Sequence, residues 1–423
     1  MSKFWEKILF IIHDRNLRNR ILFVLGALVL FRLLAAIPVP GVSSSSLAGF
    51  LNTNQFLGLL NIFSGGGLAN LSIVMLGVGP YITATIIMQL LTMVFPRLKE
   101  IYQEEGENGR RKFAQYSRML SIPLAIAQGY GLLALLTSQS ILPVLPFFDK
   151  VVAITVITAG SLLLMWIGEL VNEYGIGNGV SLIIFAGIVA GLPTSIGQAL
   201  FSFSASQVPL YLGFIVLAVV VIAGVVLVTE AERPIPVTYA KRVRGMKMYG
   251  GQSTYLPLRL NQAGVIPIIF ALSILLFPQM LTNLLANSTN GVAKLLTSFV
   301  GAILQNQWIY GLLYFFLVFV FTYFYTAITF DPHATAENLQ KSGAFIPGNR
   351  PGASTAEHLS QIVTRLTTFG ALFLGIIAVL PIILQGATGI ASLAIGGTGL
   401  LIVVSVVIDL VKQLNAQLSI REY

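Results

Sequence analysis

Hydrophobic residues in this chain come in long continuous runs. They lack the alternation of a half-buried strand and the one-sided stripe of a soluble helix. Ten runs reach membrane-crossing length, at 21–37, 77–95, 119–137, 151–171, 179–201, 208–229, 263–286, 308–330, 366–385 and 389–411. A helix needs about 20 apolar residues to cross a hydrocarbon core of ~30 Å. Most runs end at a breaker such as Pro38, Pro96, Pro143 or Gly386. Lipid admits helices or closed barrels, and barrel-style alternation is missing here. The pattern therefore predicts an all-α polytopic membrane protein of ten transmembrane helices.

Charge gives the orientation. Of the 25 Lys and Arg, 22 fall in the N-terminal segment, the loops at 96–118, 230–262 and 331–365, and the tail. The opposite loops hold Lys150 and Lys294, and Arg32 lies inside the first span. Basic residues stay on the cytoplasmic side, so both termini are expected there. The organisation read from this is a cytoplasmic N-terminal segment (1–20), a first five-helix half (21–205), a second half (206–411) and a cytoplasmic tail (412–423). Phe4, Trp5, Ile8 and Leu9 with Lys3 and Lys7 suit an amphipathic interfacial helix, held by anionic lipid or by a partner. The first run ends in Ile37-Pro38-Val39-Pro40, so it is expected to remain as a span and not to be cleaved.

Five spans is an odd number, so a second five-span unit would sit inverted. A short match hints at such a repeat: Gly77-Val78-Gly79-Pro80-Tyr81-Ile82 in the second span and Gly264-Val265-Ile266-Pro267-Ile268-Ile269 in the seventh. The stretch from Phe56 to Phe95 is broken at Ser64-Gly65-Gly66-Gly67 and again at Gly77 to Pro80. The nine residues between, Leu68 to Leu76, would make a helix of about 14 Å, too short to cross. A re-entrant half-helix inside a vestibule is expected, in preference to a loop on the bilayer surface. The long loops at 230–262 and 331–365 are basic and punctuated by Gly and Pro, which favours docking platforms over inert insertions.

Composition narrows the chemistry. The chain is 56% hydrophobic and 10% charged, which excludes a disordered chain and an ordinary soluble enzyme. There is no cysteine, no H-E-x-x-H, no G-x-S-x-G and no P-loop, so no enzymatic constellation and no cofactor is expected. His13, His333 and His358 read as solvated loop residues. The spans carry few ionisable groups, chiefly Arg32, Glu169 and Asp409, with Arg32 expected to snorkel outward. A pathway through such a bundle would be lined by apolar groups, which hold back water and ions by dewetting. Gln89, Gln128 and Asn261 are either interhelical hydrogen-bonding groups or a polar seam that can part. An inverted-repeat secondary transporter for a small solute is the alternative function, and it would need a midplane coupling site.

Several motifs together resemble the SecY/Sec61α family of protein-conducting channel subunits. They include Ile37 to Gly41, Phe63-Ser64-Gly65-Gly66, GPYITATIIMQLLT from Gly79, GENGRRKFAQYSR from Gly106 and GIGNGVSLIIFAGIVAGLP from Gly175. YAKRVRG from Tyr239, QSTYLPLRLNQAGVIP from Gln252, NLQKSGAFIPGNRPG from Asn338 and GGTGLLIVV from Gly396 extend the likeness over nearly the whole chain. The resemblance implies two inverted pseudo-symmetric halves around an hourglass channel. Unfolded secretory chains cross its centre, and apolar segments leave through a lateral gate between the second and seventh spans. It implies a pore ring of Val78, Ile82, Val180, Ile184, Ile269 and Ile402, with valine at 78 and 180 where isoleucine is common. It implies a plug after Phe63, spanning Ser64, Gly65, Gly66, Gly67 and Leu68 within about 62–76, and gate positions at Gln89 and Asn261. Gly79 stands where methionine is common. Arg242, Arg244, Lys247 and Arg350 match basic positions that dock the ribosome or the SecA motor ATPase. SecE and SecG are the implied companion subunits, and the bacterial inner membrane the implied location.

Overall fold

The structure is a computed structural model that describes residues 13–40, 61, 64–103, 105–138, 141–201, 208–239, 242–244, 247–249, 253–285, 291–388 and 391–421. The expected amphipathic segment at residues 4–12 and Phe63 lie outside the described residues.

A helix lies under each of the ten apolar runs. They are α1 (Arg15–Ala36), α2 (Gly79–Val94), α4 (Gly106–Ser138), α5 (Phe147–Tyr174), α6 (Gly179–Phe201), α7 (Val208–Glu230), α8 (Ile266–Leu285), α10 (Gln307–Thr329), α12 (Ala353–Thr388) and α13 (Ala391–Arg421). Three further helices, α3 (Pro96–Gln103), α9 (Gly291–Gln305) and α11 (Pro332–Lys341), occupy stretches read as loops. Arg15–Ala36, Gly106–Thr137, Phe147–Tyr174, Gln307–Lys341 and Ala353–Leu384 are each long and apolar enough to cross a membrane. Gly179–Pro193, Ile215–Glu230 and Ile266–Leu275 are shorter apolar stretches. Between α2 and α3 the chain turns by 117° at Phe95 and Pro96. Proline there cannot donate to the preceding turn, so the helix cannot run on.

Local chemistry sets the helix starts. Asp14 caps α1, its carboxylate accepting from the Asn16 and Leu17 amides at 2.8 and 3.3 Å. Asn306 caps α10 and Asp331 caps α11 in the same way. A side-chain oxygen at this position satisfies amides that the helix leaves unpaired. Large apolar side chains such as Val29, Val219, Leu227 and Phe316 point outward and are exposed. That is the inside-out distribution of a chain solvated by lipid.

Two expectations are corrected. The chain is mostly helical but not all-α, because the two long basic loops fold together as a sheet. Strands β1 (Glu232–Tyr239) and β4 (Ser253–Arg259) pair antiparallel from Glu232↔Arg259 to Thr238↔Ser253. Strand β5 (Ala344–Phe345), from the other loop, pairs with the far end of β1. Between β1 and β4 lies a small ribbon of β2 (Arg242–Arg244) and β3 (Lys247–Tyr249). Ile235, Val237, Leu258, Ala344, Ile346, Leu359 and Ile362 form the buried core of the three-stranded sheet against α12. Alternation of Ile235 and Val237 with Pro234 and Pro236 is the period-two signal of this strand, with the prolines on a short, loop-side sheet.

The second correction concerns residues 68–76, which form successive turns and no half-helix. Backbone geometry and distant partners explain this. Gly65, Gly66, Gly77 and even Leu71 have positive φ, a conformation that a right-handed helix cannot hold. Val39 donates to the Leu71 carbonyl at 2.8 Å and Ile73 to that of Ile37 at 3.0 Å. Amides that a helix would use internally are thus bonded to the chain leaving α1.

Candidate functional site

The six aliphatic residues assigned to the ring come from four helices and meet in one core. Val78 precedes α2, Ile82 lies on it, Val180 and Ile184 on α6, Ile269 on α8 and Ile402 on α13. Val78, Ile82, Ile184, Ile269 and Ile402 are buried in that cluster, and Val180 packs against it half-buried. These side chains make no hydrogen bonds, so their contact is set by shape alone.

A cavity of about 220 Å³ lies beside this cluster. Ile82, Val180, Ile184 and Ile269 form its apolar side, and Tyr81, Thr85, Gln89, Asn172, Asn178 and Ser181 its polar side. The cavity lies against the first three turns of α2, from Tyr81 to Gln89, and the C-terminal end of α5 at Asn172. The Gln89 side-chain oxygen is buried without a hydrogen-bond partner. Asn261 donates to the Gly264 carbonyl at 3.1 Å while its own oxygen is likewise unpaired. Unpaired buried amide oxygens cost free energy that a hydrogen-bonding visitor would recover. Gln128 instead donates to the Thr83 hydroxyl at 3.5 Å, a long bond linking α4 to α2.

The segment 64–76 packs between that core and a second one. Val74, with Val78 after it, belongs to the first core, while Leu68, Leu71, Met75 and Leu76 are buried in a second core with Leu132, Leu136 and Ile157. Ser64, fully buried, donates to the Asn61 carbonyl and accepts from the Leu68 amide at 3.1 Å. Arg32 donates to the Gly65 carbonyl and does not snorkel away from the protein. A side chain at Gly65 would meet the Phe31 ring at 2.3 Å, so the close approach to α1 requires glycine.

Sequence reasoning did not single out Val265. It is buried in the ring's core, in the place that Val78 holds in the G-V-x-P-x-I match. The match extends to the backbone: Gly77 has φ +58 and Gly264 φ +62, and a helix begins two residues after each. The shared hexapeptide was the signal that could have found it.

In the paired basic loops, the register sets Arg244 opposite Lys247, with Arg242 two residues before. Arg350 lies in the turn after β5, exposed, with no acidic partner among the described residues. At the base of the β1–β4 pair lie ion pairs of Arg259 with Glu232 at 3.4 Å and of Lys412 on α13 with Glu230 at 3.0 Å.

The sequence matches the SecY family over residues 72–411. The protein translocase subunit SecY of Thermus thermophilus is 46% identical, covering 100% of this chain and 97% of that protein. Its counterpart from Mycobacterium tuberculosis is 44% identical, covering 96% of each. Among solved structures, a protein-conducting channel superposes with a TM-score of 0.64 at 19% identity, covering 95% of this chain and 92% of that one. Sec61 in the canine ribosome-channel complex from the endoplasmic reticulum gives 0.60 at 18% identity over the same shares. These structures share the fold.

Proposed function

The chain belongs to the SecY family of protein translocase subunits, and on that premise we propose that it is the central protein-conducting channel of a Sec translocon. It passes unfolded polypeptides across the membrane and lets apolar segments leave sideways into lipid. It is a channel subunit and not an enzyme. The observation that carries this reading is the meeting of Val78, Ile82, Val180, Ile184, Ile269 and Ile402 from separate helices beside a polar-lined cavity.

The mechanism follows from that chemistry. Aliphatic side chains seal around any passing chain, because they demand no particular hydrogen-bond partner. With no chain present they close on one another and exclude water. Segment 64–76 is the plug, a second barrier that must leave before a polypeptide enters. Gln89 and Asn261 belong to the lateral gate between α2 and α8, where an unpaired amide oxygen can accept from a passing backbone. Energy comes from a partner, since the chain itself has no nucleotide-binding loop.

Ten spans with cytoplasmic termini, in two inverted halves, account for the distribution of Lys and Arg and for the matched glycines 77 and 264. The docking partners are the SecA motor ATPase and the ribosome, met by Arg242, Arg244, Lys247 and Arg350. SecE and SecG complete the complex, in a bacterial inner membrane. Ribosome contact would pair these cations with RNA phosphates and weaken with salt.

Reconstitution tests the function. Vesicles holding the complex, the motor ATPase and ATP should bring a signal-bearing unfolded protein into a protease-protected state. No protection, with the same motor active on another translocon, would contradict the reading. Uptake of a small solute coupled to an ion gradient would favour the transporter instead.

A further inference from the structure

The closing segment meets α5 at one point with no room to spare. A methyl group added at Gly160 would lie 2.0 Å from the Ile73 carbonyl oxygen and 2.7 Å from its carbon. These are backbone atoms, which cannot swing aside as a flexible side chain can. Next to it, Ser161 donates to the Gly77 carbonyl at 2.9 Å across 84 residues of chain. Both Gly160 and Ser161 are buried. Residue 73 is held from the other side by its amide, bonded to the Ile37 carbonyl at 3.0 Å. The segment is therefore gripped between the strap leaving α1 and the face of α5. One hydroxyl of the segment, Ser72 Oγ, is buried without a partner. An unsatisfied group weakens the closed arrangement and would be repaid by water on release.

We propose that Gly160, with Ser161, is the seat that holds the 64–76 segment closed, and that the size of residue 160 sets how readily the segment leaves. This rests on the reading of 64–76 as the plug. Gly160 is a positioning residue, since it acts on the ring through the segment it seats. Glycine inside a long helix is unfavourable relative to alanine, so a packing reason for it is expected at this position. The carbonyl of Ile73 supplies that reason.

Gly160→Ala improves the helix propensity of α5 while pushing on residues 73 and 74. Overpacking of this kind should raise the ratio of displaced to seated segment by about tenfold or more. The expected result is higher resting ion conductance in planar bilayers and export of a protein with a defective signal sequence. Transport of a normal substrate should be retained, which a merely unfolded helix would not allow. Ser161→Ala removes the bond to Gly77 without crowding, and should raise conductance to a smaller degree. Gly129→Ala on α4 is the control, because its nearest neighbours lie at 3.8 Å and admit a methyl. A channel lacking residues 64–76 separates the two ideas. If the deletion leaks while both Gly160→Ala and Ser161→Ala stay as tight as the parent, the seat is wrong and the plug stands. If the deletion does not leak either, the plug reading itself is overturned. Should Gly160→Ala fail to accumulate, Ser161→Ala decides: raised conductance supports the seat, and parental conductance overturns it.

Discussion

Replacing Ile402 by Asn should turn a resting channel into a leaky one. Ile402 is 1% exposed and packs in the core shared by Ile82, Ile184 and Ile269. Asparagine there removes an aliphatic contact worth about 1.5–3 kcal/mol. It also leaves an amide without partners, at a cost of about 1–3 kcal/mol, unless water enters to satisfy it. Water entry is the point, because a constriction stays dry while nothing in it binds water. Even about 2 kcal/mol changes the ratio of sealed to hydrated states roughly thirtyfold. Ile82→Asn should act alike, and Ile402→Leu, which keeps the volume apolar, should not. Single-channel recording of the reconstituted complex checks this. Parental conductance in both asparagine variants would remove these residues from the ring.

Reversing the charge of Arg350 should cripple motor-driven translocation while leaving the fold intact. Its side chain is exposed with no acidic partner among the described residues, so no internal ion pair is lost. The turn is held through its backbone: Thr355 donates to the Arg350 carbonyl at 2.8 Å, and Gly348 and Gly352 take positive φ. None of this depends on the guanidinium. At an interface, by contrast, a glutamate would repel the acidic group that Arg350 meets. Losing one desolvated charge pair costs about 2–5 kcal/mol, so motor affinity should fall at least about tenfold. Arg350→Lys should recover part of it. Normal rates for Arg350→Glu in vesicles, with the motor below saturation, would sink the assignment.

What the sequence revealed and what it hid divide along physical lines. The helices under the ten apolar runs were legible because each run carries its own signal. A stretch such as 151–171 is apolar whatever it packs against. Meeting points between distant segments had no such local mark. Arg32 looked free to reach outward, and its acceptor is a carbonyl 33 residues away. Leu68 to Leu76 looked helical by composition, but the bonds from Val39 and to Ile37 claim its backbone. The two basic loops read as separate platforms, and the pairing of Tyr239 with Ala344 makes them one sheet. The ring residues were named by family likeness, because an aliphatic position on one helix does not announce what it faces. Val265 shows the converse case. The repeated hexapeptide already held it, since the match sets Val265 at the place of Val78.

On the proposed function, polypeptides pass through the aliphatic cluster itself. The chain contains no cysteine, so an introduced thiol reports on one place. Cysteine at position 82, 184, 269 or 402 should form a disulfide with a cysteine in a secretory protein arrested halfway across. Positions on the outer surface, such as Val219 or Phe316, should not. Cross-links at the surface positions with none at the four ring positions would contradict the account.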